Sequence, residues 1–148
     1  MTAATQPVRL TQVHDYQFDA DFGGERPPLR LDEPAPLGQG TGPSPVQLLA
    51  SAVGSCLSAS LLFSLRKFKQ QPDPITCEAQ AEVGRSPEGR LRVLSMQVTL
   101  TVGVPADTLE HLDRVLATFE DYCTVTQSVS QAFPVKVSIF DLHGTRLK

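Results

Sequence analysis

The stretch SPVQLLASAVGSCLSASLLFSL, from Ser44 to Leu65, constrains the fold of this chain more than any other feature. It carries no charged side chain from Pro45 to Leu65 and is long enough to cross a bilayer as a helix. Ser44 can cap this helix, and Pro45 suits the first turn, because a missing N–H costs nothing there. We expect the helix to run from Pro45 to about Lys69 and to end before QPDP.

The surroundings of this helix favour a protein core over a membrane. The helix contains Gln47 and five serines, and the segments on both sides have the pattern of half-buried sheet. A helix that is apolar on every side is otherwise a buried core helix. A chain of 148 residues would struggle to cover it all round, so we expect a second subunit and a two-fold pair of these helices.

Alternating apolar residues predict strands on either side of the long helix. Val8–Phe22 is predicted as one strand, GGERPP as a turn and LRLDE as a second strand. PITCEAQAEV and the segment 94–102 are predicted to form a hairpin across RSPEGR. Two helices, Pro105–Asp121 and Cys123 to about Ala132, and a last strand, VKVSIFDL, complete the chain. The order β-β-α-β-β-α-α-β predicts one α+β domain over residues 1–148.

Charge and cysteine usage exclude several classes of protein. The formal net charge of −3 offers no electrostatic attraction for nucleic acid or an anionic membrane. MTAATQPVRL lacks the basic and apolar regions of a secretory signal, so we expect a cytoplasmic protein. The three widely spaced cysteines make a poor disulfide framework and no zinc motif, so no cofactor or metal is predicted.

Each thiol has a packing and a functional interpretation. Cys77 falls on the apolar face of its predicted strand, which favours a small buried hydrophobe. Cys56, in GSCLSAS, is compatible with tight packing or with chemistry. Cys123 begins a short helix, where the helix N-terminus lowers a thiol pKa, although it and Tyr122 could simply pack the corner. Spacing alone leaves these alternatives open.

Four segments together carry a resemblance to a known family: DEP from Asp32 to Pro34, GQGTGPSP, PVQLLASAVGSCLSASL, and EDYCTVTQSV. With these segments the chain resembles the OsmC/Ohr superfamily of small thiol proteins, from about Tyr16 to Phe140. The resemblance implies an OsmC-like fold, an intertwined two-fold homodimer with the long helices between sheets, and a role in the oxidative stress response.

The resemblance also implies a redox function, since typical members are peroxidases that reduce organic hydroperoxides. By position, Cys56 would be the peroxidatic thiol and Cys123 the resolving thiol, with a lipoyl-type dithiol as the reductant. A thiolate that attacks a peroxide becomes a sulfenic acid, which condenses with a second thiol to a disulfide.

The chain departs from the peroxidase members at an ion pair. Those members place a glutamate ten residues before the first cysteine and pair it with an N-terminal arginine; here that position is Val46, with Gln47 beside it. The best counterpart of the arginine is Arg26 in GGER, followed by Arg30, and a solvated surface charge is the alternative for both. A nearby guanidinium would still favour the thiolate of Cys56.

Two functions therefore remain for this less-defined OsmC-like chain. The leading one is a two-cysteine peroxidase, which the retention of Cys56 and Cys123 favours. The other, which Val46 favours, is a binding protein whose pocket near Cys56 holds a small apolar or thiol ligand without turnover. Thr124 stands where a proline commonly follows the second cysteine. Inert thiols in a structural domain would require Cys56 and Cys123 to lie too far apart to meet.

Overall fold

The computed structural model describes residues 2–148, and its backbone divides into two compact units, residues up to 48 and residues 49–148. The structure contains two sheets and three α-helices, whose elements follow one another along the chain in the order β-β-β-α-β-β-α-α-β. The predicted α+β class is confirmed. The prediction of a single domain over residues 1–148 stays a prediction.

The first unit is built on a three-stranded antiparallel sheet. Its strands are β1 (Arg9–His14), β2 (Gln17–Asp21) and β3 (Leu29–Leu31), in that spatial order. The prediction of one strand over Val8–Phe22 is wrong, because the chain reverses at Asp15 and Tyr16, where Asp15 has a φ of 46°. The apolar alternation continues straight through this short turn, so the period of the sequence does not reveal it.

A loop of the first unit folds around the carboxylate of Asp32. This carboxylate accepts hydrogen bonds from the N–H groups of Glu33 at 2.8 Å, Gln39 at 3.2 Å and Thr41 at 3.0 Å, and from the Thr41 hydroxyl at 2.8 Å. A Cβ at Gly38 would lie 2.2 Å from the carbonyl oxygen of Glu33, so only glycine fits there. Asp32 thus holds the glycine-rich loop that precedes the long helix.

The long helix, α1 (Pro45–Lys67), begins as the sequence predicts. Ser44 and Gln47 form a capping box: the Ser44 N–H donates to Gln47 Oε1 at 2.9 Å, and the Gln47 N–H donates to Ser44 Oγ at 3.3 Å. The helix ends two residues before the predicted Lys69, which has a φ of 59°. The N–H groups of Lys69 and Gln70 close the end by donating to the carbonyls of Arg66 and Leu65.

The second unit contains a three-stranded sheet of β4 (Thr76–Arg85), β5 (Leu91–Thr101) and β6 (Val135–Phe140). The predicted hairpin is confirmed as the antiparallel pair β4 and β5, and β6 lies parallel to β5. The core of this unit combines buried side chains of α1, the sheet and the segment that links β5 to β6: Val53, Leu57, Leu61, Leu65, Met96, Val98, Leu100, Val115, Phe119 and Ile139.

The connection from β5 to β6 is more broken than predicted. The helix expected over Pro105–Asp121 is instead α2 (Leu112–Thr118), flanked by short 3₁₀ turns at Ala106–Thr108 and Phe119–Tyr122. His111, with a φ of 59°, bends the chain before α2. The last helix is α3 (Thr124–Val129), which starts one residue after Cys123.

Within residues 2–148, α1 is the single helix whose length and apolarity would allow it to cross a membrane. One face of α1 packs instead into the core of the second unit, with Val53, Leu57 and Leu61 fully buried. Ser51, Ala52, Ser55, Ala59 and Phe63 remain exposed along the opposite face. The helix therefore serves as a core helix on one side and presents a face of mostly small residues on the other.

Candidate functional site

Two thiols that are distant in the sequence are neighbours in the second unit. Cys56 projects from the middle of α1 and is half-buried, whereas Cys123, just before α3, has no exposed surface. Burial raises the pKa of the Cys123 thiol above its ordinary value, and hydrogen bonding with the neighbouring Cys56 thiol raises it further. The two free thiols therefore lie close enough to interact, which a disulfide between them would require.

Cys123 caps the N-terminus of α3 with its own sulfur. Its S–H donates to Thr126 Oγ1 at 2.9 Å, and the Thr126 N–H donates to Cys123 Sγ at 3.4 Å. Donation from the Thr126 N–H and hydroxyl to the ionised sulfur would lower the pKa of the Cys123 thiol, but burial is the larger cause and the net direction is upward. The expectation that its place at a helix N-terminus would lower this pKa is therefore wrong, because the thiol lies in the apolar core.

The prediction that Cys77 is buried is also wrong. Its side chain is exposed, and β4, which carries it, is an edge strand of the second sheet. The thiol lies beside α1, where a Cβ at Gly54 would come within 2.9 Å of Cys77 Sγ. Partial burial against the helix raises the pKa of the Cys77 thiol, and a hydrogen bond with Ser58 offsets the rise in part.

The two candidate arginines belong to the first unit. Arg30 on β3 lies directly opposite Asp19 on β2, and its Nε donates to Asp19 Oδ1 at 2.6 Å. This hydrogen bond holds the pKa of the Asp19 carboxyl below its ordinary value. Arg26 is exposed in the connection between β2 and β3 and makes no ion pair within residues 2–148. Its predicted role beside Cys56 stays a prediction.

The position where peroxidase relatives are expected to carry a glutamate is apolar and half-buried. Val46 occupies it, in the first turn of α1, and that turn contains no acidic residue. Gln47 next to it does not substitute for the missing group, because its side-chain oxygen accepts the N–H of Ser44 in the helix cap. Any cation near Cys56 must therefore be held without a carboxylate from this turn.

An exposed aromatic cluster, which the sequence did not predict, adjoins Cys123. Tyr122 packs edge-on against Phe63 of α1 with ring centroids 5.9 Å apart. The ammonium of Lys67 lies over both rings, 4.6 Å from Phe63 and 4.4 Å from Tyr122. Part of the cluster could have been predicted from helical spacing, because Phe63 and Lys67 follow Cys56 by seven and eleven residues and so lie on the same face of the helix.

In the part of the chain that the structure describes, no group of three or more His, Cys, Asp or Glu side chains could hold a metal ion. Paired thiols can themselves carry out nucleophilic attack, oxidation to a sulfenic acid and disulfide formation.

The sequence profile of one family matches this chain. The profile of the OsmC-like proteins covers residues 38–138. This range includes α1, the hairpin of β4 and β5, and both Cys56 and Cys123. The chain therefore belongs to the OsmC-like protein family. Among curated proteins, none matches the sequence.

Solved structures share the fold at low sequence identity. An OsmC-like protein of unknown function from Vibrio cholerae is 17% identical, with a TM-score of 0.79 over 93% of this chain and 100% of that chain. The organic hydroperoxide resistance protein OsmC of Legionella pneumophila is 16% identical, with a TM-score of 0.72 over 94% and 98%. OhrB of Bacillus subtilis, also an organic hydroperoxide resistance protein, is 16% identical, with a TM-score of 0.71 over 92% and 98%. These likenesses establish the OsmC-like fold.

Proposed function

We propose that this protein is a two-cysteine thiol peroxidase that reduces organic hydroperoxides. The observation that carries the proposal is the pairing of a half-buried thiol, Cys56, with a fully buried one, Cys123. A peroxide reaches a sulfur with exposed surface more readily than one with none, so Cys56 is the attacking thiol. The names of the relatives from Legionella pneumophila and Bacillus subtilis agree with this chemistry.

The proposed reaction balances over the two thiols. The Cys56 thiolate attacks the O–O bond; an S–O bond forms as the O–O bond breaks, and the alkoxide takes a proton and leaves as the alcohol. The Cys123 sulfur then attacks the Cys56 sulfenic acid; the S–S bond forms, the S–O bond breaks, and the leaving hydroxide takes the Cys123 proton to become water. A dithiol of the lipoyl type then reduces the disulfide and becomes a disulfide itself.

The environment of Cys123 suits the second step better than the first. Burial raises the pKa of its thiol, so the thiol is protonated at neutral pH. A protonated thiol is a poor nucleophile toward a peroxide, which leaves Cys123 reduced until the neighbouring sulfenic acid forms.

The test is the intact mass and free-thiol count after one equivalent of cumene hydroperoxide, for wild type, Cys56→Ser and Cys123→Ser. We expect rapid loss of two thiols in wild type, no reaction of Cys56→Ser, and a sulfenic acid that can be trapped in Cys123→Ser. Persistence of all thiols in wild type through many equivalents of peroxide would reject the peroxidase.

A non-catalytic binding protein is the second candidate, and Val46 is the observation that favours it, because the first turn of α1 lacks the carboxylate of the peroxidase pattern. In this case a small apolar or thiol ligand would bind near Cys56 and be released unchanged. Mass spectrometry of the protein under non-denaturing conditions would detect such a ligand, and the thiol count would stay constant with peroxide.

We further infer a cytoplasmic homodimer. The exposed face of α1 consists mainly of Ser51, Ala52, Ser55 and Ala59, whose small side chains allow a second helix to approach closely, and Phe63 on the same face is 53% exposed. Light scattering coupled to size-exclusion chromatography should give twice the mass of the chain; a monomer mass at micromolar concentration would contradict the dimer.

A further inference from the structure

Thr126 is the side chain that contacts the buried sulfur of Cys123 from within its own helix. Its hydroxyl oxygen lies 2.9 Å from Cys123 Sγ, and its N–H points at the same sulfur from 3.4 Å. Thr126 is itself 4% exposed, and within residues 2–148 its hydroxyl has no other side-chain or backbone partner than this sulfur. Because this buried hydroxyl has only the sulfur as its partner, it can influence the position and the protonation state of the Cys123 thiol.

A hydroxyl can both accept and donate a hydrogen bond, and rotation about its C–O bond exchanges the two roles. Toward a protonated Cys123 it accepts the S–H. Toward a thiolate it can turn and donate its own O–H, and a hydrogen bond to a charged acceptor is the stronger of the two. The contact therefore changes direction with the protonation state of Cys123 while the heavy atoms stay in place.

We propose that Thr126 is a positioning residue for the resolving step: it holds the Cys123 sulfur beside Cys56, accepts the S–H in the resting protein, and donates its O–H to the thiolate that attacks the Cys56 sulfenic acid. This inference rests on the proposed function. Thr126 is neither oxidised nor reduced; the new S–S bond, the broken S–O bond and the departing water are those of the resolving step.

The kinetic test uses a substitution of nearly equal volume, Thr126→Val, which removes only the hydroxyl, with Thr126→Ser to restore it. In a single turnover with cumene hydroperoxide, Thr126→Val should form the Cys56 sulfenic acid at the wild-type rate. Its disulfide should form about tenfold more slowly at neutral pH, the loss expected for one hydrogen bond to a charged group. The pH profile of the resolving step should move upward, and Thr126→Ser should restore both the rate and the profile.

Thr124→Val is the matched control, because Thr124 lies on the same helix, is exposed, and makes no side-chain hydrogen bond to the sulfur in the described part of the chain. It should resolve the sulfenic acid at the wild-type rate. Thermal unfolding of each variant reports whether the fold is intact, and Thr126→Ala, compared with Thr126→Ser, replaces Thr126→Val if that variant does not fold.

A second measurement needs no peroxide. In a Cys56→Ser, Cys77→Ser background Cys123 is the sole thiol of the chain, and its ionisation can be followed by ultraviolet thiolate absorbance. Thr126→Val should move the titration midpoint to higher pH, and Thr126→Ser should not. A midpoint that Thr126→Val leaves in place, or a wild-type rate of disulfide formation in that variant, overturns the inference. Failure of wild type to react with peroxide would instead reject the proposed function, and the titration would still decide the effect of Thr126 on the thiol.

Discussion

Cys56 and Cys123 lie 67 residues apart in the sequence, and the fold makes their thiols neighbours. The long helix supplies one and the corner before α3 supplies the other, so neither segment forms the pair alone. The hypothesis of inert thiols required the two sulfurs to lie too far apart to meet. In the structure the two thiols interact, so this requirement is not met. The roles of the two cysteines in turnover stay predictions for the thiol assay.

The third cysteine should take no part in the redox reaction. Cys77 is exposed, but partial burial against α1 raises the pKa of its thiol, which lowers the thiolate fraction at neutral pH. After treatment of wild type with one equivalent of cumene hydroperoxide, peptide mapping should find Cys77 as a free thiol. Cys77→Ser should consume peroxide at the wild-type rate; a disulfide that includes Cys77 would contradict this prediction.

Arg26 and Arg30 can be distinguished by the reactivity of Cys56. If Arg26 lies beside the thiol as the resemblance implies, Arg26→Ala should slow alkylation of Cys56 by iodoacetamide at neutral pH by about tenfold, because one favourable charge interaction is lost. The assay uses a Cys77→Ser, Cys123→Ser background, in which Cys56 is the sole thiol.

Arg30→Ala is the matched control for that experiment. Arg30 is engaged by Asp19 at 2.6 Å across β2 and β3, so its loss should leave alkylation of Cys56 unchanged. Equal rates for Arg26→Ala and wild type would show that Arg26 is a solvated turn residue.

Asp32 should make the stability of the protein depend on acid pH. The N–H of Thr41 is the main group that holds the pKa of this carboxyl below its ordinary value of 3.8, which the unfolded chain retains. The stabilisation is therefore complete above about pH 4 and is lost as the pH falls through the lower pKa of the folded state.

The substitution Asp32→Asn should lower the melting temperature at neutral pH, because an amide cannot accept all four hydrogen bonds of the loop. The difference from wild type should shrink below about pH 4, as the wild-type carboxyl takes up a proton. Glu25→Gln, in an exposed turn without hydrogen bonds in the described residues, should leave the melting temperature unchanged at every pH. Differential scanning calorimetry across this range checks both variants.

Ser44 should contribute to stability through the cap of α1. Its hydroxyl accepts the N–H of Gln47, so Ser44→Ala should lower the free energy of unfolding by about 1 kcal/mol in urea denaturation. Ser51→Ala, an exposed position of the same helix without a side-chain hydrogen bond in residues 2–148, should not lower it. Equal losses for both variants would mean that the cap is not the cause.

The sequence correctly predicted those helices and strands that are determined by residues close together in the chain. The start of α1 follows from Ser44 and Pro45, and the hairpin of β4 and β5 follows from two alternating segments around one turn. The strand predicted over Val8–Phe22 failed because a tight turn at Asp15 interrupts the pairing without interrupting the alternation. The helix predicted over Pro105–Asp121 failed because an apolar stripe does not reveal where His111 bends the chain.

By itself, the sequence determined the α+β class, the position and cap of α1, and the candidate pair Cys56 and Cys123, because these follow from short-range periodicity, capping and a family pattern. Only the tertiary structure decided that Cys77 is exposed, that burial raises the pKa of Cys123, and that Thr126 contacts its sulfur. Burial and contact between thiols depend on which distant segments pack together. A thiol pKa in turn depends on the water and the charges that this packing removes or brings near.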